Sequence, residues 1–310
     1  MLARIQVIAL NTYREAVRAR ILHGLFALAI ATAGYALVVG AFALNSSLRV
    51  VSDLGAASIS IYGIVVAVVL GATSLYRELE LKTIFPILAR PIRRSEYLVG
   101  KFLGTVLTLA VFIAANSGVL LLALAVEAGR PPAVPLGLAL GATLGCVVLA
   151  FRWARARTYL PIPWAFLILL AGALFANGAP DDRRVVLGSA LLTLSEVALV
   201  TAIATVFSSF SSPFLSAVFT FGLFFVGRSA DTLARLPVRI FGPTLAGAGS
   251  VLAKVVPNLM LYVPPRPLLT GEASGSSLGG YLGMAALHSV AWSVLLLAGA
   301  SILFRRRDFL

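Results

Sequence analysis

An all-α, polytopic membrane fold is what this 310-residue sequence predicts, and three observations predict it. Hydrophobic residues make up 60% of the chain and charged residues 12%, against about 45–50% and 25% in soluble globular domains. The apolar residues fall into long blocks, and a block of about 20 is the length a helix needs to cross roughly 30 Å of hydrocarbon. The basic residues gather between the blocks, where Lys and Arg on the cytoplasmic side set membrane orientation and meet anionic lipid. The 25 Lys+Arg against 12 Asp+Glu give a formal charge of +13. In a soluble protein that excess would point to nucleic acid, but its distribution between apolar blocks points to the membrane surface, and no nucleic-acid partner is expected. Cys146 is the single cysteine, so no intramolecular disulfide can form.

Residues 3–21 come first. On a helical wheel Arg4, Asn11, Arg14, Glu15 and Arg18 fall in one polar stripe, opposite Ile5, Ile8, Ala9, Tyr13, Ala16 and Val17. A basic amphipathic helix of this kind lies in the interface plane; the alternative is a plain cytoplasmic tail. Arg14, Arg18 and Arg20 precede an apolar stretch containing Ala31-Thr32-Ala33, which imitates a signal-peptide cleavage site. The stretch runs on to Leu44, well past the roughly 7–15 residues of a signal h-region, so it reads as a retained span.

Apolar blocks then follow at 22–44, 55–76, 98–126, 135–151, 161–177, 185–208, 213–227 and 282–304. Three of these, 135–151, 161–177 and 213–227, sit at or below the lower end of the spanning range and could be re-entrant. A cytoplasmic amino terminus puts the basic clusters Arg77 to Lys101, Arg152 to Arg157 and Arg305 to Arg307 on one inner side, as the positive-inside rule requires. Both termini are then cytoplasmic in a bacterial-type inner membrane. The stretch 228–281 falls outside with Arg228, Arg235, Arg239, Lys254 and Arg266, a departure that long connections tolerate. Deleting the pair 135–151 and 161–177 leaves six spans with the same end orientation, so parity cannot choose between six and eight. The cluster Arg152, Arg155 and Arg157 between them favours eight, because guanidiniums are costly inside the bilayer. Within 228–281, Pro243 and Pro257 prevent a single helix, and residues 271–280 read as a flexible linker.

The stretch Leu75 to Lys101 carries the strongest signal. It packs six basic and three acidic residues around apolar Leu79, Ile84, Phe85 and Leu88. A solvated loop has no need of those apolar side chains, whereas a short helix offered to a cytoplasmic partner does. Pro86 and Pro91 limit its length. A basic loop lying on anionic lipid is the competing reading.

The run Arg77-Glu78 through Thr83, then Pro91-Ile92-Arg93-Arg94 and Glu96 to Gly100-Lys101, resembles the first cytoplasmic loop of ATP-binding-cassette (ABC) permeases of the second export class. It is most similar to the subgroup containing the permease of the nitrous-oxide-reductase maturation system. The likeness extends to Tyr13-Arg14-Glu15, to Ser208-Ser209-Phe210-Ser211-Ser212-Pro213, to Pro257-Asn258-Leu259 and to the Arg305-Arg306-Arg307-Asp308-Phe309 end. The extra hydrophobic pair at 135–177 departs from the six spans usual in such permeases. The resemblance implies an elbow helix carrying Arg14, Glu15 and Arg18, and a coupling helix within 77–97 that docks an ATPase subunit. Its coupling candidates are Arg77, Glu78, Leu79, Glu80, Thr83, Phe85, Arg90, Pro91 and Arg94. It also implies two permease copies, identical or paralogous, with two ATPase subunits that bind the ATP and magnesium.

The chain has no phosphate-binding loop of its own, since Gly100-Lys101 is followed by Phe102 and has Ser95 where the first Gly should stand. No Ser/His/Asp set or paired carboxylates stand out, so the chain is not read as an enzyme and no metal or cofactor is expected in it. Glu196 lies in the middle of an apolar span, where a carboxylate must be protonated, paired or turned to water. It is either a structural hydrogen-bonding group or the proton site of an ATP-independent secondary carrier, the second functional reading. His23 and His288, near span ends, read as interfacial. Gly137, Gly141 and Gly145 make two Gly-x-x-x-Gly steps that permit close helix packing, within one subunit or at a dimer seam.

Overall fold

The computed structural model describes residues 2–18, 21–43, 46–80, 93–153, 157–272 and 277–305, with backbone alone at 21–23, 25, 74–80 and 304–305. The helices are α1 (Leu2–Arg18), α2 (Ile21–Phe42), α3 (Ser47–Glu80), α4 (Arg94–Glu127), α5 (Ala133–Arg152) and α6 (Pro161–Phe175). They continue as α7 (Pro180–Ser208), α8 (Pro213–Arg228), α9 (Ala230–Ala234), α10 (Val238–Val255), α11 (Arg266–Thr270) and α12 (Leu278–Arg305). Single 3₁₀ turns stand at Ala176–Gly178 and Leu259–Tyr262. Among the described residues there is no strand, and the fold is an all-α membrane architecture.

Local sequence accounts for the breaks. Proline opens α6, α7 and α8 at the first helical position, where its missing N–H is no loss. Asp181 and Asp182 occupy the first turn of α7, facing the positive end of the helix dipole. In α10 the helical path is broken at Gly242, whose φ of 75° only glycine adopts without strain, and Pro243 restarts the helix. Pro243 thus prevents a single straight helix, as its position in the sequence predicts.

Each of the eight apolar blocks is helical over most of its described residues. Among the described residues six helices are long and apolar enough to cross a membrane: Ser47–Thr73, Arg94–Glu127, Ala133–Arg152, Pro161–Gly178, Pro180–Ser208 and Leu278–Leu303. The pair α5 and α6, which a six-span reading of the sequence discards, is among them. The α8 helix is shorter, at 16 residues. By contrast α3 and α4, with 34 residues each, are about 51 Å long at 1.5 Å per residue and must project beyond a roughly 30 Å hydrocarbon layer.

The core lies where α3, α4 and α7 meet, with Val66, Val68, Leu109, Leu121, Val197 and Val200 buried. A second cluster joins α7 to α12 around Leu192, Leu199 and Ala285, with Leu259 and Tyr262 pushed into it from the 3₁₀ turn. Helix α6 lies directly against α4. A β-carbon at Gly118 would stand 2.6 Å from the Leu169 nitrogen, and one at Gly172 would stand 2.7 Å from the Gly118 oxygen.

The glycine stripe on α5 behaves otherwise than its spacing suggests. Among the described residues nothing lies within 4 Å of a β-carbon at Gly137, Gly141 or Gly145. Packing of that stripe within the subunit is therefore not what the fold uses it for; close approach occurs at other glycines, Gly118 and Gly172 among them. Most of α5 is exposed, with Leu136, Leu140, Leu144 and Val148 among its outward side chains.

Candidate functional site: the helical collar and the intramembrane ion pair

Helix α1 lies along the first turns of α4. It buries Ile5, Thr12, Tyr13 and Ala16, while Leu2 and Val7 stay exposed, so the amphipathic division read from the sequence is largely the one the fold uses. Contact is close because α4 presents glycine: a β-carbon at Gly100 would meet Ile8 at 2.7 Å, and one at Gly104 would meet Thr12 at 2.6 Å. Two ion pairs flank the glycines. Arg4 Nη1 stands 3.9 Å from Glu96 Oε2, and Lys101 Nζ stands 3.8 Å from Glu15 Oε2. Glu96 and Lys101 are both buried, and Lys101 also lies over the Tyr97 ring. Glu96 reaches back to accept the Arg93 N–H at 3.4 Å, closing the first turn of α4.

This collar sits beside the stretch that the sequence singles out. Arg77, Glu78, Leu79 and Glu80 form the last turn of α3, described as backbone only, and Arg94 begins α4. Thr83, Phe85, Arg90 and Pro91 lie outside the described residues. Arg14 and Glu15 stand on α1, Glu15 accepting from Asn11 Nδ2 at 2.7 Å as well as facing Lys101, and Arg18 ends the helix. The residues on either side of 81–92 are thus the projecting ends of two long helices, one of them clamped by α1.

Deeper in the fold, the Glu196 side chain is 1% exposed and has a partner that the sequence reading did not give it. Arg228 Nη2, at the end of α8, stands 3.0 Å from Glu196 Oε1 and donates to Oε2 at 3.1 Å. Arg228 had read as a loop residue on the wrong side for its charge; the fold turns it inward as a counter-ion. Next to this pair Ser289 donates to the Ser195 carbonyl at 2.6 Å, and His288 Nδ1 lies 3.0 Å from the Tyr262 hydroxyl. His288 is therefore tied to the 3₁₀ turn rather than lying free at an interface. Among the described residues no group of three or more His, Cys, Asp or Glu side chains could hold a metal.

A family model described as ABC-2 family transporter protein matches residues 6–309. The chain belongs to the ABC-2 family of transporter proteins. As a member it is a membrane permease of the ABC transporter type, a transport component rather than a catalytic one, from a family that in general partners an ABC ATPase. A search of curated proteins returns no match.

ABC-2 membership gives the remaining polar residues a structural setting. At the end of the molecule opposite the collar, Arg266 donates to Asp182 at 2.5 Å and to Ser52 at 3.2 Å and also pairs with Asp53. This cluster ties α3, α7 and α11 together. Its signal in the sequence was weak, since Ser52, Asp182 and Arg266 are far apart in the chain. The Lys101 to Glu15 contact was more legible, because both residues lay within motifs already singled out.

Proposed function

We propose that this ABC-2 permease is the membrane half of an ATP-driven exporter, docking a separate ATPase through residues 77–97 and moving substrate along a path between two permease copies. The observation that supports it is the collar. The candidate docking stretch connects two helices that project beyond the hydrocarbon, and α1 is fixed to the second of them by two ion pairs and two glycine contacts. A push on 81–92 then reaches the membrane helices through α4, whose packing on α3 and α7 is tight. Two ATPase copies, a bacterial inner-membrane location and cytoplasmic termini complete the proposal, together with likeness to the nitrous-oxide-reductase maturation subgroup. The Arg228 contact favours a structural part for Glu196, and nothing in the site favours a proton-driven carrier.

The test is copurification of the ATPase with substituted permeases, followed by transport. Truncating one member of a desolvated charge pair at such an interface costs about 2–5 kcal/mol. Glu78→Ala, Glu80→Ala and Phe85→Asp should each release the ATPase while the permease keeps its expression level and detergent stability. Normal binding and transport in all three would overturn the coupling assignment.

A further inference from the structure

Helices α1, α2, α4, α5 and α6 line a half-open pocket of about 380 Å³. Its walls include Val111, Phe112, Cys146, Pro161 and Trp164, with Tyr13 of α1 closing one side. Two features show that it is made for more than packing. The Tyr13 side chain is 0% exposed, and its hydroxyl has no hydrogen-bond partner. Burial pushes this phenol up to about 12, so it stays protonated and can only be satisfied as a donor by an acceptor that enters the cavity, or as an acceptor by a donor. The neighbouring Arg14 has a buried Nε with no hydrogen-bond partner, and its guanidinium lies 5.9 Å from the centre of the Tyr159 ring. Tyr159 stacks on Tyr13 at 6.4 Å. Among the described residues the Tyr159 ring thus lies near both the buried Tyr13 phenol and the Arg14 guanidinium, whose Nε has no hydrogen-bond partner.

The α5 wall of the cavity is otherwise exposed and apolar, so the cavity adjoins hydrocarbon rather than water. We infer that it holds one acyl chain of an anionic membrane phospholipid, with the phosphate on Arg14 and a headgroup or ester oxygen accepting from Tyr13. The chemistry is complementary at each point. A guanidinium suits a phosphate oxygen pair, a protonated phenol suits an ester carbonyl, and the remaining walls suit methylene groups. The site is formed by the helix pair that the chain has beyond six spans, so the lipid would cement that pair to α1. This inference does not depend on ATPase docking.

Trp164 in the wall reports occupancy directly. The full chain, carrying Trp153→Phe and Trp292→Phe so that Trp164 is its single tryptophan, is placed in phosphatidylcholine nanodiscs with increasing phosphatidylglycerol brominated on its acyl chains. Quenching of Trp164 should saturate at about one bromolipid per chain, at a mole fraction about tenfold below that needed with brominated phosphatidylcholine. Arg14→Gln, at the edge of the fold, should abolish that tenfold preference. Tyr13→Phe should weaken binding several-fold without changing shape, and Ala115→Phe, which fills the cavity, should remove saturable quenching. Three results would overturn the proposal. One is quenching that only rises in proportion to bromolipid. Another is equal saturation by both headgroups. The third is saturation by a soluble brominated alkyl phosphate where phosphatidylglycerol gives none, which would assign the cavity to a transported amphiphile.

Discussion

Without the guanidinium of Arg228, the buried Glu196 carboxylate would lose the counter-charge that stands 3.0 Å away. Breaking one member out of a buried pair typically costs about 3–5 kcal/mol, because the other charge is left uncompensated. Arg228→Ala should therefore lower the thermal stability of the purified permease about as much as Glu196→Ala does. Removing both side chains should cost clearly less than the sum of the two single losses. Glu196→Gln, which keeps a hydrogen-bonding group for Arg228, should fall between wild type and Glu196→Ala. Thermal unfolding of the four variants in one detergent checks all of this, and additive losses would mean that the contact carries no coupling. The acid was legible in the sequence because a lone carboxylate in mid-span always demands an explanation. Its base was not, since it lies 32 residues on, at the end of another helix, where an arginine reads as a loop charge. A mid-span acid together with a base on the disfavoured side of the membrane is a joint signal that neither residue gives alone.

Helix packing shows a similar division between what pattern reveals and what it hides. Block length and charge flanks mark every membrane helix, because both follow from hydrocarbon thickness and the cost of burying charge. They say nothing of which glycine meets which backbone. The spacing at Gly137, Gly141 and Gly145 points to α5, yet the fold places Gly118 and Gly172 at the close contact. Gly172→Ala would set a methyl group 2.7 Å from the Gly118 oxygen, and overpacking of this kind costs about 1–3 kcal/mol. Gly141→Ala meets nothing in the subunit and should be neutral or stabilising, since alanine is favoured over glycine in a helix by up to about 1 kcal/mol. Denaturation midpoints of the two variants should thus move in different directions or by very different amounts. A large loss for Gly141→Ala in the assembled transporter would mean that α5 meets a second copy. The collar makes a third case: Lys101→Glu should loosen α1, and the combined swap Glu15→Lys with Lys101→Glu should restore much of the loss. Protease resistance of the α1 segment reads both.

For the whole molecule the open question is which end faces the cytoplasm, and the contacts sort the chain into two ends without reference to charge. Lys101 with Glu15, and Tyr13 with Tyr159, bring α1, the start of α4 and the turn before α6 to one end. Arg266 with Asp182 and Ser52, and Arg130 over the Phe175 ring, bring the starts of α3 and α7, the turn after α4, the end of α6 and helix α11 to the other. Among the described residues Arg77, Arg93, Arg94, Lys101, Arg152 and Arg157 stand at the first end, which in the proposed orientation is the cytoplasmic one. Of the five basic residues in 228–281 that depart from the rule, two have carboxylate partners in the fold: Arg266 pairs with Asp53 and Asp182, and Arg228 with Glu196. A cation held by a folded carboxylate is there for the fold, so its position does not count against the proposed orientation. In a Cys146→Ala background, Ser277→Cys should react with an impermeant thiol reagent applied from outside, and Trp153→Cys, exposed between α5 and α6, should react only after the membrane is opened. This pattern requires α5 and α6 to cross as a pair. Reaction of Trp153→Cys from outside would show that they do not, and would leave six crossings with α5 and α6 folded back on one face.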